Sequence, residues 1–209
     1  MKTQKYLALS ATAVAAAIAI GGCASVSNGT SAPVNSMDGM DHGSMSGSAP
    51  ASSTPAAAAD YNAADTMFTQ GMIPHHQQAV EMSDLMLGKS DVPAPVKELA
   101  TRIKAAQGPE IATMTGWLKT WNESATMAPG MDMGGMMGAD DMAKLKAAQG
   151  TEAAKLFLTQ MIAHHQGAVA MAKTEIAQGK NADAVSLAKS IVTAQEAEIK
   201  DMQTLLPTL

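Results

Sequence analysis

The chain has 209 residues, of which 46% are hydrophobic, 16% charged and 3% aromatic, with a formal charge of −5 and a single cysteine. Its 14 Lys and Arg are scattered, which excludes a basic nucleic-acid footprint, and one Cys makes neither an internal disulfide nor a thiolate zinc cage. So few aromatics leave little for a β-sandwich, while Ala, Met, Leu, Lys, Gln and Glu favour helix, so the fold class is all-α.

The N-terminus reads as an address. Lys2 and Lys5 precede a weakly apolar run from Leu7 to Ile20, too short to span a bilayer but suited to a secretory leader. Ile20-Gly21-Gly22-Cys23 resembles a bacterial lipobox, so residues 1–22 are expected to be a lipoprotein signal peptide and Cys23 the lipidated first residue. The expected location is extracytoplasmic, anchored to the membrane through Cys23, with a secreted or periplasmic soluble form as the alternative. From residue 23 to 60 the chain is mostly Ser, Ala, Gly and Pro, a composition that cannot offset its ordering entropy and reads as a disordered, flexible tether. Within it Met37, Met40, His42 and Met45 form a cluster with the chemistry of a metal-facing segment.

The folded part, residues 61–209, is organised by an internal duplication. Phe68-Thr-Gln-Gly-Met72-Ile-Pro-His75-His76-Gln-Gln-Ala79-Val80-Glu-Met82 returns as Phe157-Leu-Thr-Gln-Met161-Ile-Ala-His164-His165-Gln-Gly-Ala168-Val169-Ala-Met171. A second pair follows: Gln107-x-x-Glu110-Ile111-x-x-Met114, then Gln195-x-x-Glu198-Ile199-x-x-Met202. Apolar residues three and four apart predict two amphipathic helices per copy. The first ends at Gly88, the second runs from about Val96 to Trp121, and the last two cover Thr151 to Gln178 and Ala182 to Leu205. Repeat 1 (about 65–122) and repeat 2 (about 151–206) are thus αα-hairpins, and together they predict a four-helix bundle. The connector, 123–149, carries Met131, Met133, Met136 and Met137 among Gly and Asp. It is long enough for either an up-down-up-down or a long-crossover order.

Neighbouring helical residues point about 100° apart, so one His of each pair faces the bundle and the other a neighbouring helix or solvent. Met72 and Met161 stand one turn before the His pairs, on the same side. Imidazole with thioether is a soft donor set suited to copper. His75, His76, His164 and His165 are therefore the candidate ligands with Met72, Met82, Met161 and Met171, while the connector and tether Met are auxiliary. Gln107, Glu110, Gln195 and Glu198 are candidates to hydrogen-bond the second ring nitrogen of a ligand His. Pro74, which stands where the second copy has Ala163, is expected to bend its helix and open the first His pair to exchange. His-dependent binding is expected to fade below roughly pH 6.5.

Met-Ile-x-His-His-x-x-Ala-Val-x-Met, duplicated and followed by Gln-x-x-Glu-Ile-x-x-Met, resembles the bacterial family called domain of unknown function 305. The resemblance covers about 65–209. It implies a ferritin-like four-helix bundle and exported proteins, some associated with copper binding and copper tolerance. It carries over to His75, His76, His164, His165, Met72, Met82, Met161 and Met171, and says little about the tether or connector.

The expected function is a lipid-anchored protein that sequesters or transfers Cu(I) or Cu(II), with copper as its ligand and a copper exporter, oxidase or chaperone as its partner. An enzyme is not expected. Di-iron chemistry on such a bundle needs Glu-x-x-His, but Glu81, Glu110 and Glu198 are followed by Asp84, Thr113 and Asp201. The alternative is a metal-free structural or partner-binding bundle.

Overall fold

The computed structural model describes residues 60–127 and 133–209. The leader, Cys23, the tether cluster (Met37, Met40, His42, Met45) and Met131 lie outside the described residues. Those described form helices α1 (Ala63–Gly88), α2 (Ala94–Trp121), α3 (Ala139–Ala147), α4 (Gly150–Gln178) and α5 (Ala182–Leu205), then a 3₁₀ turn over Leu206–Thr208. The four long helices lie where the apolar periodicity places them. The short α3, inside the connector, is an addition to the four expected.

Local chemistry sets the helix ends. Asn62 caps α1 by accepting from the amides of Ala64 and Asp65, and Asp65 returns the bond to the Asn62 amide, a reciprocal capping box. Pro93 and Pro95 bracket the start of α2, where a missing N–H costs nothing, and Asn122 ends it in the left-handed region at φ 57°. Asn181 caps α5 through the Ala184 amide.

Contacts between these ends fix the topology. The Asp65 carboxylate also accepts from the Lys180 and Asn181 amides, and Asn62 Nδ2 donates to the Gln178 carbonyl, so α1 begins where α4 ends. At the far end Lys89 Nζ donates to the carbonyls of Lys146 and Ala148, just before α4 starts. Helices α1 and α4 are antiparallel. Tyr61 donates to the Trp121 carbonyl and stacks on its ring at 4.7 Å, which brings the end of α2 to the beginning of α1. Helix α2 thus ends at one end of the bundle and α4 starts at the other. The connector's described parts meet α1 in order: Ser124 at Gln70, Met137 at Gln78, Lys146 at Lys89. This is a long crossover, the order of ferritin-like bundles.

Helix α1 packs on α2, α4 on α5, and the two hairpins meet through α1 and α4. The buried apolar side chains fall into two half-cores. One contains Met82, Met86, Val96, Leu99, Ile103, Leu145, Phe157, Leu158 and Met161. The other contains Phe68, Met72, Met114, Leu118, Ala168, Ala172 and Ile191. Along α1 and α4 the His pairs fall between them.

Candidate metal centre

His75 and His76 lie midway along α1, and His164 and His165 midway along α4. Because these helices are antiparallel and packed together, their midpoints coincide, and the duplication brings the two pairs to one layer. The rings of His75 and His164 are 3.8 Å apart between centroids and tilted by 40°. All four imidazoles are 0% exposed. The layer is closed by the Met72 half-core on one side and the Met161 half-core on the other, both Met fully buried. The inner histidines of the two pairs, His75 and His164, meet at one place.

The outer histidines face the flanking helices. His76 Nε2–H donates to Glu110 Oε2 and His165 Nε2–H to Glu198 Oε2, both at 2.7 Å. Such a bond sets the tautomer and leaves the Nδ1 lone pair uncommitted. His75 Nε2 lies 3.3 Å from the Gly134 carbonyl, which accepts. Of the four residues expected to hydrogen-bond a ring nitrogen, Glu110 and Glu198 do so. Gln107 and Gln195 do not, and although both are buried, both Gln107 amide atoms and Gln195 Oε1 have no hydrogen-bond partner.

Unpartnered buried polar atoms are rare in folded proteins, and each costs about 1–3 kcal/mol. This layer gathers five on its imidazoles: Nδ1 of all four histidines and Nε2 of His164. The inner pair is also held neutral. Burial, followed by the charge of His76, pushes His75 down to about 3. Burial, followed by the charge of His75, pushes His164 down to about 2. Burial thus places the protonation of these two rings well below the usual imidazole range. Among the described residues no three His, Cys, Asp or Glu side chains are grouped to hold a metal ion. A metal in the layer would need thioether donors beside the imidazoles, a set suited to Cu(I).

The connector closes the layer by a device the sequence alone did not disclose. The two copies differ at the second residue after the His pair, Gln78 in one and Gly167 in the other. Gln78 clamps the connector, its Nε2 donating to the Met137 carbonyl and its Oε1 accepting from the Met137 amide. Gly167 admits the Gly134–Gly135 backbone, because a Cβ there would fall on the Gly134 carbonyl group. Gly135, at φ 85°, packs its Cα against Gly167. These contacts present the Gly134 carbonyl to His75. The signal for them was the break in the repeat at Gln78 and Gly167, facing a Gly pair in the connector.

The remaining candidates are dispersed. Met82 is fully buried in one half-core, and Met137 packs against the same half-core from the connector. Met133 and Met136 are half-buried. Met171 packs on the other half-core and lines a surface cavity. Helix α1 continues through Pro74, and both His pairs are equally buried, so exposure does not distinguish them.

The family model for DUF305, a domain of unknown function, matches residues 65–206. The chain belongs to the DUF305 family. A Streptomyces coelicolor DUF305 protein described as secreted is 36% identical, with a TM-score of 0.67 over 72% of this chain and 95% of that one. A DUF305 fragment from Deinococcus radiodurans is 30% identical, with a TM-score of 0.65 over 71% and 98%. CopM, solved in a Cu(I)-bound form, is 33% identical, with a TM-score of 0.59 over 69% and 96%, and it also has Cu(II)- and Ag-bound forms. A search of curated proteins finds no match. No helix among the described residues is long and apolar enough to cross a membrane.

Proposed function

We propose that this DUF305 protein binds copper outside the cytoplasm and carries it as cargo rather than as the cofactor of a reaction. The observation that supports this most directly is the mid-bundle layer of four buried histidines with unpartnered Nδ1 atoms. His75 and His164 are the primary donors, and Met72 and Met161 supply thioethers from the two sides. His76 and His165 complete the layer and are oriented by Glu110 and Glu198. Likeness to CopM, whose structures include Cu(I)-, Cu(II)- and Ag-bound forms, supports copper as the ion. Thioethers neither titrate nor form disulfides, which suits an oxidising compartment. Lipidation at Cys23 would hold the bundle at the membrane, within reach of an exporter, oxidase or chaperone that gives or takes the ion. No catalytic role is proposed.

A second reading is favoured by one observation: the His76–Glu110 and His165–Glu198 bonds each tie a helix to its hairpin partner, as a structural clasp would. One experiment separates the two. The full-length protein is titrated anaerobically with Cu(I) and aerobically with Cu(II) and Zn(II), beside His75→Asn/His164→Asn, with helicity followed by circular dichroism. Copper-preferring binding that falls at least tenfold in a variant that stays folded supports the copper layer. Unchanged binding in that folded variant, or none in the wild type, leaves the clasp.

A further inference from the structure

Away from the histidine layer, a cavity of about 200 Å³ opens between the first turns of α1, the last turns of α4 and the connector, walled by Met67, Phe68, Gly71, Met127, Met171 and Glu175. Its three thioethers come from three separate elements. Two of them converge over Gly71, where an added Cβ would stand 3.4 Å from Met127 Sδ and 3.6 Å from Met171 Sδ. Met67, on the rim, is 42% exposed, the one large hydrophobic side chain that stands out to solvent among the described residues.

Packing alone does not account for this grouping. In the second copy of the repeat, Leu156 stands at the position of Met67 and Gln160 at that of Gly71, and Met127 lies outside the duplicated segments. Gln160 reaches the Asp141 carbonyl, filling where Gly71 leaves space. The same helical register thus carries Leu156 and Gln160 in one half and Met67 and Gly71 in the other, and the counterpart of Met171, Met82, is fully buried in a half-core rather than lining an opening. An open, apolar pocket whose donors are uncharged thioethers suits a soft monovalent ion, whereas Mg(II) takes oxygen ligands and zinc's usual sulfur ligand is the charged thiolate.

We propose that Met67, Met127 and Met171 form a second, surface-accessible site for a soft monovalent cation, Cu(I) or Ag(I). The site is separate from the histidine layer and does not depend on it. Its thioether donors do not titrate, and Glu175, the one titratable group in the wall, is kept largely protonated by burial between pH 5 and 7, so the ion is held alike across that range.

The test uses Ag(I) as the probe on full-length protein carrying ¹³C-methyl methionine, at pH 5 and pH 7. Each methyl signal is assigned by its own conservative Met→Leu change. The expected result is that the Met67, Met127 and Met171 signals shift together and saturate with one equivalent of Ag(I), alike at both pH values and in His75→Asn/His164→Asn. Met67→Leu should remove that equivalent, whereas Met86→Leu, buried in the other half-core, should not. The proposal is overturned if the three signals stay in place up to two equivalents, or respond at different silver ratios. The wild-type shifts decide this even where a variant fails to fold. A histidine layer that takes copper while these methyls stay unmoved defeats this site alone. Methyls that shift in a protein whose layer takes no copper defeat the layer alone.

Discussion

A neutral imidazole buried away from water and from any counter-charge carries a definite acid liability. His75 and His164 have folded pKa values near 3 and 2, against 6.5 for the free side chain. The unfolded chain therefore binds protons between those limits and the native protein does not. The stability of the metal-free protein should be fully present above pH 6.5 and lost progressively as pH falls toward 3. Each histidine contributes a slope of about 1.4 kcal/mol per pH unit inside that window. Urea unfolding at pH 7, 5.5 and 4.5 measures this, and His164→Asn should show about half of the histidine contribution. A variant with the wild-type slope would mean that the ring is already protonated, or exposed, in the native state.

Glu175 slopes the other way, and its effect acts where two helices meet. It is 1% exposed, and burial, then its interaction with the neighbouring Asp65 carboxylate, push it up to about 8. Burial alone would raise Asp65 too. The neighbouring Glu175 carboxyl and the hydrogen bonds from the Asn181, Asn62 and Lys180 amides more than offset that and hold Asp65 below its usual value. The ionised Asp65, held by the Lys180 and Asn181 amides, joins the start of α1 to the start of α5. A raised folded pKa gives stability that is complete below pH 4.5 and lost as pH rises through 8. Glu175→Gln should leave Tm little changed at pH 5 and raise it at pH 8.5, which thermal unfolding at the two values checks.

The connector makes a similar demand on one residue of α4. Gly167→Ala would drive a methyl into the Gly134 carbonyl group, so the connector backbone must move. Overpacking of this kind costs about 1–3 kcal/mol. Hydrogen exchange should rise over 133–138 and not in α5, whereas unchanged exchange there would mean that the Gly–Gly contact is unimportant.

The long helices were legible because each buries a wide apolar stripe at helical spacing and ends at Gly, Pro or Asn. Helix α3 was not, since nine residues after a glycine-rich stretch show little periodicity. Its trace lay in the charges, with Asp140 and Asp141 in the first turn and Lys144 and Lys146 in the last, matched to the helix dipole. At the site, the duplicated His pairs and the Glu one turn after each Gln were readable, because ligand chemistry and helical spacing are local. The Gly134 carbonyl and the convergence of the pairs were not. They depend on how the two hairpins pair, which no local pattern encodes.

At the scale of the whole molecule, the duplication relates α1 to α4 by an approximate two-fold relation that exchanges His75 with His164 and Met72 with Met161. Under that relation the two methionines occupy equivalent positions on opposite sides of one layer, each fully buried in its own half-core. If a single copper ion sits in the layer, Met72→Leu and Met161→Leu should weaken Cu(I) binding by similar factors, on the order of tenfold each, a loss of about 1.4 kcal/mol. Both swaps conserve volume, so stability should change by less than about 1.5 kcal/mol and the weaker binding would not reflect unfolding. The stoichiometry at the layer should stay at one in either variant. Two independent sites, one per repeat, predict otherwise: Met72→Leu would abolish half of the layer's copper and leave the other half at wild-type affinity. A competition titration against a Cu(I) chelator, run on both single variants and the double, separates these outcomes. The close approach of His75 and His164 argues for the single shared ion, because two cations within one pair of rings 3.8 Å apart would repel each other strongly in a buried site.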